Sequence, residues 1–310
     1  MSEFVGFAQL VVAALVPYVL AGQGTMLAGR AGVFNVSQEG VMLVGASVGF
    51  IGSYLLGGNL YGVLLAAVVG GLFGLALAYL TTALKLDQFV IGLALFFLGV
   101  GLSTLLYKLV VGVTLAPPLV PVLRPVRIPL LHRIPVLGPI LFEQDLLVYF
   151  ALVVSVVLYW LLYHTNTGLK LRAVGENPMA ADSTGVRIGL MRYVTTVVGG
   201  MLIAMGGAYL PMAYTGTFTE GIVGGRGWLV IALTFFGGWR PHLIVAAGLF
   251  FAVMEVLAQR LQVQGVGVAV EFLLMLPYVT TILVMTFAFR WVRPPGFLGR
   301  NYDRESRTDL

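Results

Sequence analysis

Eight times along this 310-residue chain an apolar run begins that is long enough to cross a hydrocarbon core, near Phe4, Gln38, Leu60, Gln88, Leu146, Met191, Pro241 and Val270. A helical crossing takes about 20 residues. Backbone amides and carbonyls surrounded by lipid must find partners within the protein, so this pattern confines the chain to a bundle of membrane-spanning helices. A ninth apolar stretch, "WLVIALTFFGG" from Trp228, is too short for a full crossing and is bracketed by glycines, as expected of a helix broken inside a protein interior. The first twenty residues lack the basic stretch and small-residue cleavage pattern of a secretory signal and read as a span. The expected fold is an all-α polytopic membrane protein, one domain over residues 1–310, with about nine transmembrane helices: eight long ones and one short, broken element. Its 59% apolar residues lie above, and its 10% charged residues below, the roughly 45–50% and about 25% of soluble domains.

Orientation is read from Lys and Arg. If the loops after spans one, three and five and the tail face the cytoplasm, that side holds Arg30, Lys85, Lys170, Arg172, Arg187, Arg192, Arg290, Arg293, Arg300, Arg304 and Arg307. The other side holds Lys108, Arg124, Arg127, Arg133, Arg226 and Arg260, with Arg240 unassigned. The N-terminus is then external and the C-terminus cytoplasmic, which requires an odd number of crossings, so the short ninth element is expected to cross. Residues 112–145 become an external loop carrying Pro117, Pro118, Pro121, Pro125, Pro129, Pro135 and Pro139, where regular helix is not expected. An ordered cap and a loose linker both remain open for it. The net charge of +5 belongs to this orientation pattern rather than to one basic stripe, so no nucleic-acid partner is expected.

The polar inventory excludes much chemistry. Without cysteine there is no disulfide framework or thiolate metal site. His132, His164 and His242 are far apart in sequence and show no HExxH-like spacing, so no metal or cofactor is expected. Beyond the polar start of span two, few polar groups lie within spans, among them Gln9, Glu255 and Glu271; structural pairing is expected for the two acids, with Gln259 one turn from Glu255 as its partner. No midmembrane carboxylate cluster suggests ion coupling. The absence of GxxxxGK[ST] excludes a phosphate loop for ATP. Small residues recur every fourth position at Gly45, Gly49 and Ser53, at Gly70, Gly74 and Ala78, and at Gly200, Ala204 and Ala208, a spacing that lets helices approach closely.

Between spans five and six, the cytoplasmic loop 164–190 contains a short helix with marked ends. Asn177 suits the cap, Pro178 the first helical position and Gly185 the left-handed stop, enclosing about seven residues. So short a helix is marginal alone and needs something to hold it. Its small face of Ala180, Ala181 and Thr184 is shaped to enter another protein's groove, and a mere connector resting on the bundle is the alternative.

"GLKLRAVGENPMAADSTGV" resembles the coupling-helix segment of permease subunits in ATP-binding cassette importers of the ribose, branched-chain amino acid and nucleoside type. "AGRAGVFNVSQEGVMLVGA" and "GRGWLVIALTFFGGWRP" resemble two further signatures of that family. "MLPYVTTILVM" followed by "RPPGFLGRNYDRESR" is similar to its nucleoside branch, associated with basic-membrane-protein binding partners. The resemblance implies a non-catalytic transport subunit in the plasma membrane of a prokaryote. Its partners would be a cytoplasmic ATPase, a second permease subunit (a related, longer chain or an identical copy) and an extracytoplasmic substrate-binding lipoprotein. Coupling would fall on Glu176, Asn177, Pro178, Ala180, Ala181 and Gly185, and the cargo would be a nucleoside or, alternatively, ribose or another simple sugar. A stand-alone ion-coupled transporter or channel is the rival from a different class, and it would leave residues 176–185 dispensable.

Near the start of span two, Asn35 and Gln38 have the spacing of a capping box, and Glu39 sits in a first turn where the macrodipole favours negative charge. An acid within one turn of the apolar slab also faces a partner or a watery cavity. Pathway lining by Asn35, Gln38 or Glu39 and pure capping both stand. Phe34, Phe96, Phe97, Trp228, Phe235 and Trp239 offer ring faces on which a nucleobase could stack, with packing as the plainer role.

Overall fold

The computed structural model describes residues 2–112, 117–129, 131–264, 272, 275, 278–279, 281–283, 286 and 293–303. In chain order its helices are α1 (Ser2–Arg30), α2 (Gln38–Leu56), α3 (Asn59–Ala78), α4 (Gln88–Val110), α5 (Leu137–Phe142), α6 (Leu146–His164), α7 (Asn166–Glu176), α8 (Pro178–Ser183), α9 (Ile188–Leu210), α10 (Arg226–Phe236) and α11 (Pro241–Val263). Seven of them, α1, α2, α3, α4, α6, α9 and α11, are long and apolar enough to cross a membrane. The run expected from Val270 begins outside the described residues, as do Glu271, Arg290, Arg304 and Arg307. Residues 272, 275, 278–279, 281–283 and 286 of that run are helical.

Helix α9 lies at the centre, against α1, α2 and α3. The small-residue ridges make this possible. A Cβ on Gly45 would strike the Ala204 carbonyl, one on Gly70 the Gly200 carbonyl, and one on Gly74 the Thr196 carbonyl. Where lipid provides no hydrophobic drive between helices, such backbone-to-backbone contact supplies the dispersion energy of association. Helix α4 leans on α2 in the same way through Gly99 and Gly40.

The described members of the two groups of basic residues gather at opposite ends of the bundle. At the Arg30 end, Arg30 Nε donates to the Trp239 carbonyl at 2.7 Å and Lys85 pairs with Asp303 at 2.6 Å. At the Glu3 end, Lys108 pairs with Glu220 at 2.8 Å, Arg127 with Glu143 at 3.2 Å, and Arg260 donates to the Glu3 carbonyl at 2.9 Å. Arg240 falls at the Arg30 end, beside Arg30 and Arg172. One assignment changes, while Arg192 keeps its end of the bundle. Arg226 is not a loop residue but lies inside the bundle against Glu255. Arg192 lies within α9, 1% exposed, donating to the carbonyls of Ala31 at 3.2 Å and Arg300 at 3.0 Å.

The proline-rich stretch is folded where it is described. Strand β1 (Val126–Arg127) pairs antiparallel with β2 (Glu143–Gln144), and α5 forms although no helix was expected there. Pro139 occupies its first turn, where the missing N–H costs no intrahelical bond. Val120 N donates to the Gly216 carbonyl at 2.8 Å and Leu123 N to the Met212 carbonyl at 2.9 Å. Gln9 Nε2 reaches the Pro139 carbonyl at 3.0 Å, tying this stretch to α1.

Helix α10 decides where the site lies. Its 11 residues cover about 16 Å at 1.5 Å per residue, roughly half of a 30 Å hydrocarbon core. The chain leaves α9 at the Glu3 end and turns inward through residues 216–225. Phe218 there packs with Phe50 and Val120, and three successive backbone turns close at Ile222, Gly224 and Arg226. Gly224 and Gly225 are both left-handed (φ +60° and +82°), which aims α10 from the bundle interior towards the Arg30 end. There Gly237 and Trp239 return the chain to α11. Irregular backbone at such depth is tolerated only inside protein, and Val223 is fully buried.

Candidate functional site

The N-terminus of α10 opens inside the bundle and must find acceptors there. Glu39 provides them. Its carboxylate accepts from Gly225 N at 2.8 Å and Gly227 N at 2.7 Å, and the residue is 7% exposed. Glu39 thus stands in the first turn of α2 and also caps a second helix end-on, placing one negative charge between two positive macrodipole ends. A Cβ at Gly227 would meet the Glu39 backbone, so only glycine lets the carboxylate come so close.

The capping box expected upstream does not form. Helix α2 begins two residues later than that pattern requires, with Ser37 at the cap and no side-chain cap bond. Asn35 Oδ1 instead accepts from Ser37 N at 2.8 Å and Ser37 Oγ at 2.7 Å, a local turn. Gln38 Nε2 reaches the Asn35 carbonyl at 2.5 Å, not its amide, and Thr25 Oγ1 at 3.2 Å. Both residues are buried and brace the α1–α2 turn beneath Glu39.

On the far side of the α10 terminus, Arg226 forms an ion pair with Glu255 of α11, and Tyr18 of α1 donates to the same carboxylate at 2.8 Å. Gln259 donates to Glu255 at 3.3 Å, as its spacing foretold. The stronger partners, Arg226 and Tyr18, were out of reach of sequence reading because they lie 29 and 237 residues away. A cavity of about 200 Å³ opens here among Tyr18, Arg226, Glu255 and Tyr278.

Trp228 and Phe235 are two turns apart and share a face of α10. Phe96 meets Trp228 edge-on, with ring centroids 5.2 Å apart, and Phe97 lies 4.9 Å from Phe96. Phe34 meets Phe235 at 6.4 Å, and Trp239 lies 4.7 Å from Phe235. The structure therefore gathers all six aromatics into a stripe along α10, from the Glu39 junction to the Arg30 end. Trp228 is 39% and Phe97 63% exposed, leaving ring faces open beside α4.

At the Arg30 end, α8 has the marked ends expected: Asn177 Oδ1 accepts from Ala180 N at 3.0 Å, Pro178 is at the first position and Gly185 is left-handed. It spans six residues. Its outward face differs from expectation. Ala180, Ser183 and Thr184 are exposed, but Ala181 turns inward, 2% exposed, against Val174, Val186 and Ile188. The preceding α7 was missed altogether. Its signals were the Thr165 cap, accepting from Gly168 N at 3.1 Å, and the buried Leu171 and Val174 three positions apart.

Residues 296–303 strap this region to the rest. Phe297 N donates to the Gly175 carbonyl at 2.8 Å and Gly299 N to the Gly32 carbonyl at 3.1 Å. Gly296 N donates to Glu176 at 3.1 Å and Tyr302 Oη to Asp182 at 3.0 Å. Asn301 Nδ2 caps the Lys85 and Leu86 carbonyls at 2.7 and 2.9 Å. Gln88 completes the path, accepting from Phe34 N at 2.7 Å while its Nε2 donates to Asn301 at 3.2 Å. One continuous set of bonds therefore joins α8 to the turn that carries Phe34 and Asn35 and leads into Glu39 of α2.

Comparison with known proteins gives consistent matches. The family described as "Branched-chain amino acid transport system / permease component" matches residues 7–285. A guanosine ABC transporter permease of Bacillus subtilis is 32% identical over 309 residues, covering 94% of this chain and 91% of that one. A provisionally assigned glucose ABC transporter permease of Haloferax volcanii is 32% identical over 340 residues, covering 98% and 99%. A nucleoside ABC transporter permease of Lactococcus lactis is 31% identical over 299 residues, covering 92% and 93%.

Proposed function

This chain belongs to the family of permease components of branched-chain amino acid transport systems, and on that premise we propose that it is the membrane subunit of an ATP-driven nucleoside importer. As a member of that family with seven apolar helices, it is a multi-pass protein of the prokaryotic plasma membrane and a transport subunit. ATP hydrolysis and substrate capture fall to partner proteins: a cytoplasmic ATPase seated on α8 and an extracytoplasmic binding protein docking at the Glu3 end. A second permease subunit, a related longer chain or an identical copy, covers the open face of α4 and α10. The N-terminus is external and the tail cytoplasmic, supported by the larger group of basic residues at the Arg30 end, and the crossings number nine when α10 and the run after Val270 are included.

The observation that carries the cargo assignment is the aromatic stripe on α10. Base faces stack on such rings for about 1–3 kcal/mol each, and relatives named for guanosine and for nucleosides cover nearly the whole chain. Glu39 and the strap make this stripe movable, because a shift of α8 reaches the α1–α2 turn through the bonds described. A second reading keeps the mechanism and changes the cargo to a simple sugar, favoured by the Haloferax volcanii relative. Uptake of labelled guanosine and of labelled glucose or ribose, in cells with and without this chain and its partners, decides between them. Guanosine uptake that depends on the chain and falls in Trp228→Leu is expected; sugar uptake alone replaces this reading with the second.

A further inference from the structure

At the Arg30 end, α6 and the start of α11 part around two adjoining cavities. The first, about 490 Å³, is lined by Leu152, Ser155, Val156, Tyr159, His242 and Val245, a size usual for a ligand cleft. It opens on the outward face of α6, where Val153, Val156 and Val157 are exposed. The second, about 350 Å³, shares Tyr159 and His242 with it and adds Arg30, Tyr163, Arg172 and Arg240. An apolar groove thus runs directly into a basic pocket. Tyr159, Trp160, Tyr163 and His164 cluster at this end of α6, and Tyr and Trp are the residue types that settle at headgroup level in a bilayer. The groove therefore lies at the depth of acyl chains and the pocket at the depth of phosphates.

Among the described residues, the ion pair that the pocket's three arginines make is Arg30 with Glu176. Glu176 lies 4.0 Å from Arg30 and is more than half-exposed, and Arg30 is already committed to the Trp239 carbonyl. Arg172 stands over the Tyr163 ring, 5.0 Å from its centroid, and its buried Nε has no hydrogen-bond partner among the described residues. Arg240 is exposed at the cap of α11. Two guanidinium groups are left facing a space that opens onto an apolar channel. A soluble anion would use the pocket but not the groove, and an apolar helix would use the groove but not the pocket. One molecule class uses both.

We propose that these cavities hold one anionic phospholipid, its phosphate between Arg172 and Arg240 and one acyl chain in the groove between α6 and α11. Basic pockets between transmembrane helices are suited to such headgroups. The lipid would fix α11 and α7 relative to α6, apart from the exposed face of α8 and from the Trp228 end of the aromatic stripe.

The test uses the full chain purified in neutral detergent, titrated with phosphatidylglycerol or phosphatidylcholine and read by native mass spectrometry. Phosphatidylglycerol is expected to bind on the order of tenfold more tightly, from two arginines at the headgroup. The preference should vanish in Arg172→Gln/Arg240→Gln, and occupancy should fall in Val156→Trp, which fills the groove. Val245→Phe repeats the groove test from α11, and each variant's unfolding midpoint is measured so that lost binding is not lost folding. Equal binding of the two lipids, or a preference untouched by the arginine substitutions, overturns the proposal. So does full displacement by inorganic phosphate with no effect of Val156→Trp, which marks a free-anion site. Cross-linking of two copies through Val156→Cys, with lipid unable to compete, also overturns it, because a second chain then covers the groove.

Discussion

Glu39 joins two helices with one carboxylate, and its removal measures that junction. Bonds to a charged acceptor contribute about 1.5–3 kcal/mol each, and buried amides left unpaired add a penalty. Glu39→Ala is therefore expected to destabilise the purified subunit by about 2 kcal/mol or more in denaturant unfolding. Glu39→Gln, which keeps one acceptor, should lose less; equal losses would mean that volume rather than the carboxylate matters. The Arg226–Glu255 pair allows a second measurement, since both side chains are mostly buried (19% and 12% exposed). Arg226→Met should cost about 3–5 kcal/mol by stranding the Glu255 charge, and Arg226→Met/Glu255→Met should recover most of it. At this scale the sequence was legible in part. That Glu39 and Glu255 needed partners followed from acids lying in apolar runs, and the spacing gave Gln259 for Glu255, but the partners remote in the chain did not follow. Gly225 and Gly227 are 186 and 188 residues from Glu39, and local spacing is silent about such distances.

Among the elements, those with terminal signals were the most readable. Asn177, Pro178 and Gly185 marked α8, and the glycines around "WLVIALTFFGG" marked α10 as broken. Helix α7 escaped because its eleven residues include Gly168 and Gly175, poor helix formers. Their reason is packing: a Cβ on Gly168 would strike the Leu161 carbonyl, and one on Gly175 the Arg30 carbonyl. The small-residue ridges announced close helix approach, yet not that α9 receives three partners at once. The burial of α8 sharpens the coupling test. Ala180→Arg, on the exposed face, is expected to leave the subunit inserted and folded while abolishing ATP-driven uptake in membranes with its partners. Ala181→Arg should lower the unfolding midpoint, since it buries a charge among Val174, Val186 and Ile188. Wild-type uptake in the Ala180 variant would exclude α8 as the seat of the ATPase.

The whole molecule behaves as a lever system only if residues 296–303 stay attached at both ends. Asn301→Ala together with Tyr302→Phe removes the bonds to the Lys85 and Leu86 carbonyls and to Asp182. The pair is expected to reduce uptake several-fold, with membrane insertion and ATPase binding unchanged; undiminished uptake would exclude residues 296–303 from coupling. None of this strap was legible in advance, because its partners at Gly32, Gln88 and Gly175 are remote in the chain and most of its bonds are to backbone groups. The same arrangement has a consequence for biosynthesis. At about 5–20 residues per second of translation, the turn at Gly32 waits on the order of tens of seconds before its clasp emerges from the ribosome. During that interval the α1–α2 turn is held only by its bonds to Gln88 and Arg192, so an unfinished subunit differs from a completed one at the end of the bundle where the clasp will close.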